Sequence, residues 1–152
     1  MPSDLLKAMA NLDDDALQRV FGALEDLESR VDLLILDMGA GIHHGVLAFA
    51  QAADLTLLVT TPEPTSVRDA YGVIKSLGPA EVCRELLLVV NMAGSRAEAL
   101  DVADRIRRAS ARFLGRSPFY LGCVLRDACV ERAVRGRGIF YRASGFLVQL
   151  VN

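Results

Sequence analysis

The sequence predicts an α/β fold with a doubly wound, mainly parallel sheet of about four strands with flanking helices. Four apolar runs of strand length, at 31–37, 55–61, 85–92 and 119–125, are each followed by a segment that reads as a helix. That alternation implies right-handed crossovers and strands covered from both sides. The chain has 152 residues and is 52% apolar, which suits one globular domain over 1–152 with a real core.

The elements follow in order. An amphipathic helix ends in LEDLESR at 24–30, with Leu17, Val20, Phe21, Leu24 and Leu27 at helical spacing and Asp13 as its cap. The run at 31–37 is apolar on both faces, as a parallel strand buried between helices should be. A helix is expected over 45–53. The run LTLLVTT at 55–61 stops at Pro62-Glu63-Pro64, and a helix then starts at Thr65 or Ser66, with Ser66 and Asp69 spaced as a capping box, and runs to Leu77 before Gly78-Pro79. ELLLVVNM at 85–92 leads through Ala93-Gly94-Ser95 into a helix over 96–113, and FYLGCVL at 119–125 precedes one over 128–135.

Charge and composition narrow the function classes. Seventeen basic against nineteen acidic residues leave a net charge of -2, so no overall basic field draws in nucleic acid. The arginines at 126, 132, 135, 137 and 142 read as a solvated face rather than a docking patch. Cys83, Cys123 and Cys129 contain no CxxC pair, and the N-terminus has no signal-peptide pattern, which together point to a reducing cytoplasm. His43 and His44 are neighbours that diverge on a helix, and no acid or cysteine pair completes a metal set with them.

The chemistry-bearing residues sit where the strands end. The run at 31–37 delivers Asp37 to the glycine-rich turn DMGAG, an arrangement that suits a magnesium ion beside a phosphate, although Asp37 equally suits a cap for the next helix. The TTPEP turn and Asn91 end the next two strands, and ligands of α/β sheets bind at such ends. Asn91 offers a donor and an acceptor to a ligand, or closes a turn. No GxxxxGK[ST] loop occurs in the sequence, and Lys7 and Lys75, its two lysines, lie outside any glycine-rich loop.

DMGAG at 37–41, AADLTLLVTTPEPTSVRDAYGVIKSL at 52–77, VVNM at 89–92 and YLGCVLRD at 120–127 together resemble the second half of MinD/ParA-type P-loop ATPases, and within them the FlhG (YlxH/FleN) branch. The resemblance spans about 13–150 and implies a P-loop NTPase-like fold without the Walker A region. It implies that Asp37 corresponds to the Walker B aspartate that holds magnesium through water, Gly39 and Gly41 to the switch that senses the terminal phosphate, and Asn91 to a contact with adenine. Backbone amides and a lysine carry most of a triphosphate's charge in such folds, so the chain by itself is expected to bind ATP weakly or not at all and to hydrolyse none. No cofactor is expected for the chain alone, and ATP with magnesium if the missing half is supplied.

The strand that leads into the phosphate loop belongs inside the resembled sheet, so its absence predicts unpaired edges that invite another chain. A homodimer, or a chain supplying the missing half, is the expected partner, with flagellar assembly proteins as further candidates. SGFLVQLVN at 144–152 has a helical stripe of Phe146, Leu147, Leu150 and Val151 but no basic residue, which favours core packing over membrane contact. The function expected is therefore a non-catalytic MinD/FlhG-like regulatory or interaction domain in control of flagellar number or placement. The alternative is a component of an active ATPase whose phosphate loop comes from elsewhere. A receiver-like signalling domain is disfavoured, since no early acidic pair is evident.

Overall fold

The computed structural model describes residues 14–39, 41–78, 85–128 and 130. They fall into two compact units divided between Ala52 and Ala53. The first contains helices α1 (Asp14–Glu28) and α2 (His44–Ala52). The second runs β1 (Leu55–Thr60), α3 (Pro64–Ser76), β2 (Glu85–Ala93), α4 (Arg96–Leu114), β3 (Phe119–Leu125). Asp13, Cys83, Cys129, the arginines at 132, 135, 137 and 142, and the segment 144–152 lie outside the described residues, as does most of the helix expected over 128–135.

In the first unit, the helical spacing of α1 buries Leu17 and half-buries Val20, Phe21 and Leu24, while Leu27 stays exposed near the helix end. Phe21 packs against Phe49 of α2 with ring centroids 4.9 Å apart and planes tilted by 49°. Such tilted pairs add to the apolar burial itself.

The expected strand at 31–37 is not formed: these residues have no regular structure, and Leu33 and Ile35 are 75% and 78% exposed. A strand exists only through the ladder it shares with a neighbour, and no other strand occurs among the described residues of this unit. The sheet accordingly has three described strands rather than about four.

In the second unit β2 is central, in the order β1-β2-β3, with both pairings parallel. In this progressive order, crossovers of the usual right hand put α3 and α4 on one face, and the two helices do pack against each other. Leu58, Leu88 and Tyr120 lie in register across the three strands. Leu88 and Val90 on that row's face are fully buried, as are Ile74 and Leu77 at the end of α3, with Ala99, Val102, Ala103 and Ile106 of α4 also inside. Each large side chain of this kind stabilises by ~1.5–3 kcal/mol through burial. Tyr120 is half-buried, and desolvation together with its hydrogen bond to Cys123 pushes its phenol up to about 12.

The opposite face of the sheet receives neither of this unit's helices. Leu57, Leu87 and Phe119 are in register there, and Leu55, Leu57, Val59 and Phe119 are 47%, 49%, 53% and 64% exposed. A doubly wound sheet needs a second helical layer on this side, and the described residues of the second unit contribute none, although Leu87 and Val89 of the central strand are buried.

Helix ends explain the remaining boundaries. The helix after TTPEP starts at Pro64 rather than at Thr65 or Ser66, with Glu63 as its N-cap and no side-chain cap bond, so the expected Ser66–Asp69 box is not used. Proline at the first helical position loses nothing, because its missing N–H has no partner there in any residue. A side-chain cap forms instead at α4, where Ser95 Oγ accepts from Glu98 N at 3.1 Å as in the first half of a capping box. Glu98 Oε2 in turn accepts from Gly94 N at 2.6 Å. At the other end of α4, Gly115 adopts φ +66, a left-handed cap that a Cβ would strain by ~1–2 kcal/mol. Arg116 follows, buried, and its guanidinium donates to Gly78 O at 2.9 Å, tying this loop to the end of α3.

Candidate functional site at the strand ends

The carboxyl ends of β1, β2 and β3 enclose a cavity of about 160 Å³. Thr61, Pro62 and Glu63 line it from the turn after β1, Met92 and Gly94 from the end of β2, Glu98 from the first turn of α4, and Arg126 from just beyond β3. This is where the crevice of an open parallel sheet takes ligands.

Local backbone chemistry shapes the cavity. The ladder between β2 and β3 is interrupted between Val90 and Ala93, and Met92 within the break has φ +57. A bulky residue held there costs of order 1–3 kcal/mol and persists only where its surroundings enforce it. One enforcing contact is Asn91 Oδ1, which accepts from Met92 N at 2.8 Å. Arg126 N donates to Ala93 O at 2.8 Å and closes the far wall.

The polar inventory decides what the cavity can hold. Thr61 Oγ1 is buried and has no hydrogen-bond partner among the described residues, a state that costs ~1–3 kcal/mol unless a partner meets it. Two acidic residues, Glu63 and Glu98, and one basic residue, Arg126, are among its lining residues, and all three are exposed. The amide of Gly94 and that of Glu98 at the start of α4 are already taken, by Glu98 Oε2 and Ser95 Oγ, so this helix N-terminus offers little to an anion. A neutral, planar group with mixed donors and acceptors, such as a nucleobase, fits this set better than a phosphate chain.

The sequence-derived candidates divide between the units. Asn91 is half-buried beside the cavity without lining it; its carbonyl oxygen closes the turn at Met92, which leaves its Nδ2 for other use. Asp37, Gly39 and Gly41 belong to the first unit. Asp37 is exposed and does not cap α2, whose first helical bond runs from Leu47 N to His43 O. Gly39 is half-buried, and Gly41 has φ +126, where an added Cβ would stand 3.0 Å from the His43 ring. Among the described residues no group of three or more His, Cys, Asp or Glu side chains converges on a point where a metal could sit.

Sequence reasoning placed the TTPEP turn, and with it Thr61, at a ligand-binding strand end but passed over Glu98 and Arg126 as cavity residues. Thr61 and Arg126 each follow a strand directly, and the Ser95-x-x-Glu98 spacing marks a helix start at the end of β2. Those positions were the available signal.

No protein-family model matches the chain. It is 34% identical over 121 residues to the antiactivator FleN of Pseudomonas aeruginosa, covering 80% of this chain and 43% of FleN. It is 32% identical over 116 residues to the flagellum site-determining protein YlxH of Helicobacter pylori, covering 76% and 39%. Against the septum site-determining protein MinD of Bacillus subtilis it is 30% identical over 104 residues, covering 66% and 39%. With its parallel sheet and flanking helices, the chain is a MinD/ParA-type segment with a P-loop NTPase-like α/β fold. Within that class it stands with the FlhG relatives represented by FleN and YlxH, and it spans about two fifths of the length of the curated relatives it matches.

The fit to ATP and magnesium is uneven. The strand-end cavity suits a base, but among the described residues no lysine or glycine-rich loop lines it to hold the phosphates. No helix among them is long and apolar enough to cross a membrane.

Proposed function

We propose that this chain acts as a non-catalytic regulatory or interaction domain of the MinD/FlhG type, in control of flagellar number or placement. The observation that carries the reading is the apolar sheet face of the second unit, with Leu55, Leu57, Val59 and Phe119 exposed beside a β1 edge that has no neighbouring strand among the described residues. An open parallel edge next to apolar side chains recruits another chain. The partner is a second copy of this chain, and flagellar assembly proteins are its further targets. The similarity to FleN and YlxH, whose names concern antiactivation and flagellum siting, supports the flagellar assignment.

In this reading Asn91 and Thr61 flank the adenine end of an ancestral nucleotide site, and Asp37, Gly39 and Gly41 retain the magnesium and switch positions. A second reading is favoured by the unpartnered Thr61 hydroxyl: the cavity belongs to an active ATPase whose phosphate loop another segment or chain supplies. Counting flagella by electron microscopy, after deleting the coding region from its host and restoring it, tests the flagellar assignment. Altered number or position, rescued by the restored gene, is expected; flagella unchanged in both respects would contradict it.

A further inference from the structure

We infer that the groove between α3 and α4 is a docking site for an acidic, amphipathic helix of a partner protein. The groove encloses about 320 Å³ and shares no lining residue with the strand-end cavity. Its floor is apolar: Ile106 lies almost fully buried at the bottom, with Val67, Tyr71 and Ala109 half-buried around it. The short side chain at Ala109 leaves room between the helices. A floor of this kind accepts the i, i+3, i+4 and i+7 side chains of an amphipathic helix.

The rim sets the sign of the partner. Arg68 of α3 and Arg105 of α4 are both exposed at the groove. Other arginines of α4 are engaged: Arg107 pairs with Asp104 at 3.2 Å, Arg108 donates to Asp104 O, and Arg112 lies over the Phe113 ring. Arg68 and Arg105, in contrast, make no ion pair or side-chain hydrogen bond among the described residues. One helical repeat further on, Lys75 and Arg112 continue the same two faces, and Phe113 continues that of Ile106 with 67% of its surface exposed. The chain is acidic overall, at -2, so this positive rim is local. Carboxylates on either side of a helix's apolar stripe meet it. A lipid surface is a poorer match, because Ile106 is recessed at 2% exposure instead of projecting.

Two fluorescein-labelled helical peptides probe the groove by anisotropy. Both carry leucines at i, i+3, i+4 and i+7; one has glutamates beside the leucines and the other lysines. The glutamate peptide is expected to bind, more weakly as salt rises, and the lysine peptide is not. Arg68→Glu with Arg105→Glu should weaken the glutamate peptide at least about tenfold and let the lysine peptide bind. That gain separates reversed charge from a misfolded variant. Binding of neither peptide, equal binding of both, or a change under about twofold in the double variant overturns the proposal. So does sedimentation with phosphatidylglycerol vesicles that matches or exceeds peptide binding. None of these outcomes depends on nucleotide or on the sheet face, so the flagellar reading stands or falls separately.

Discussion

Leu88→Ala is expected to destabilise the three-stranded unit by about 3–4 kcal/mol, read as a lower denaturation midpoint with an unchanged slope. Leu88 occupies the middle of the central strand, is fully buried, and stands in register with Leu58 and Tyr120 beneath the helical layer. Truncation there removes apolar contacts and leaves a cavity that strands paired on both sides are poorly placed to fill. Val59→Ala, on the other face of an edge strand and 53% exposed, should cost less than about 1 kcal/mol by the same measurement. Equal losses at the two positions would mean that the face opposite the helices is as closed as the one beneath them.

If the sheet face docks a second copy as proposed, light scattering should show the unsubstituted chain self-associating with rising concentration, and Leu57→Glu combined with Phe119→Glu should leave a monodisperse monomer. Both side chains lie on the sheet face opposite the described helices α3 and α4, and both are about half exposed or more, at 49% and 64%. Two carboxylates on that face repel their counterparts in a second copy and break the apolar patch. Thermal stability should change little, because neither side chain belongs to the buried core. Should the unsubstituted chain already be a monodisperse monomer at high concentration, the self-association reading fails.

The fold was legible wherever local pattern and tertiary context agreed. The runs at 55–61, 85–92 and 119–125 became β1, β2 and β3 within a residue at their ends, because each has a parallel neighbour to complete its ladder. The run at 31–37 has the same apolar character but no strand beside it among the described residues of its unit, and Leu33 and Ile35 stand in solvent. Apolar pattern records what a segment can bury, while the ladder depends on what lies beside it. The start of α3 was misplaced for a smaller reason: Pro64 read as an end to regular structure, whereas proline is an effective first residue of a helix.

The site was less legible than the fold. Asn91 was found from the end of its strand, but its bond to Met92 N depends on a positive φ that no residue type at position 92 signals. The TTPEP turn marked the region of Thr61, but that its hydroxyl is buried without a partner among the described residues is a property of packing. Gly41 was singled out through the family resemblance as a switch position, whereas the structure shows a backbone reason for glycine there, a φ of +126.

Under the proposed function, the described residues of this chain supply the base-binding end of a MinD/ParA-type site and no lysine or glycine-rich loop for a triphosphate, and the chain acts through protein contacts. Titrating ATP with magnesium into the purified chain by calorimetry tests it most directly, first alone and then with a MinD/ParA-type segment bearing the phosphate loop. The account predicts no micromolar binding by the chain alone. Micromolar affinity in the first titration would contradict it.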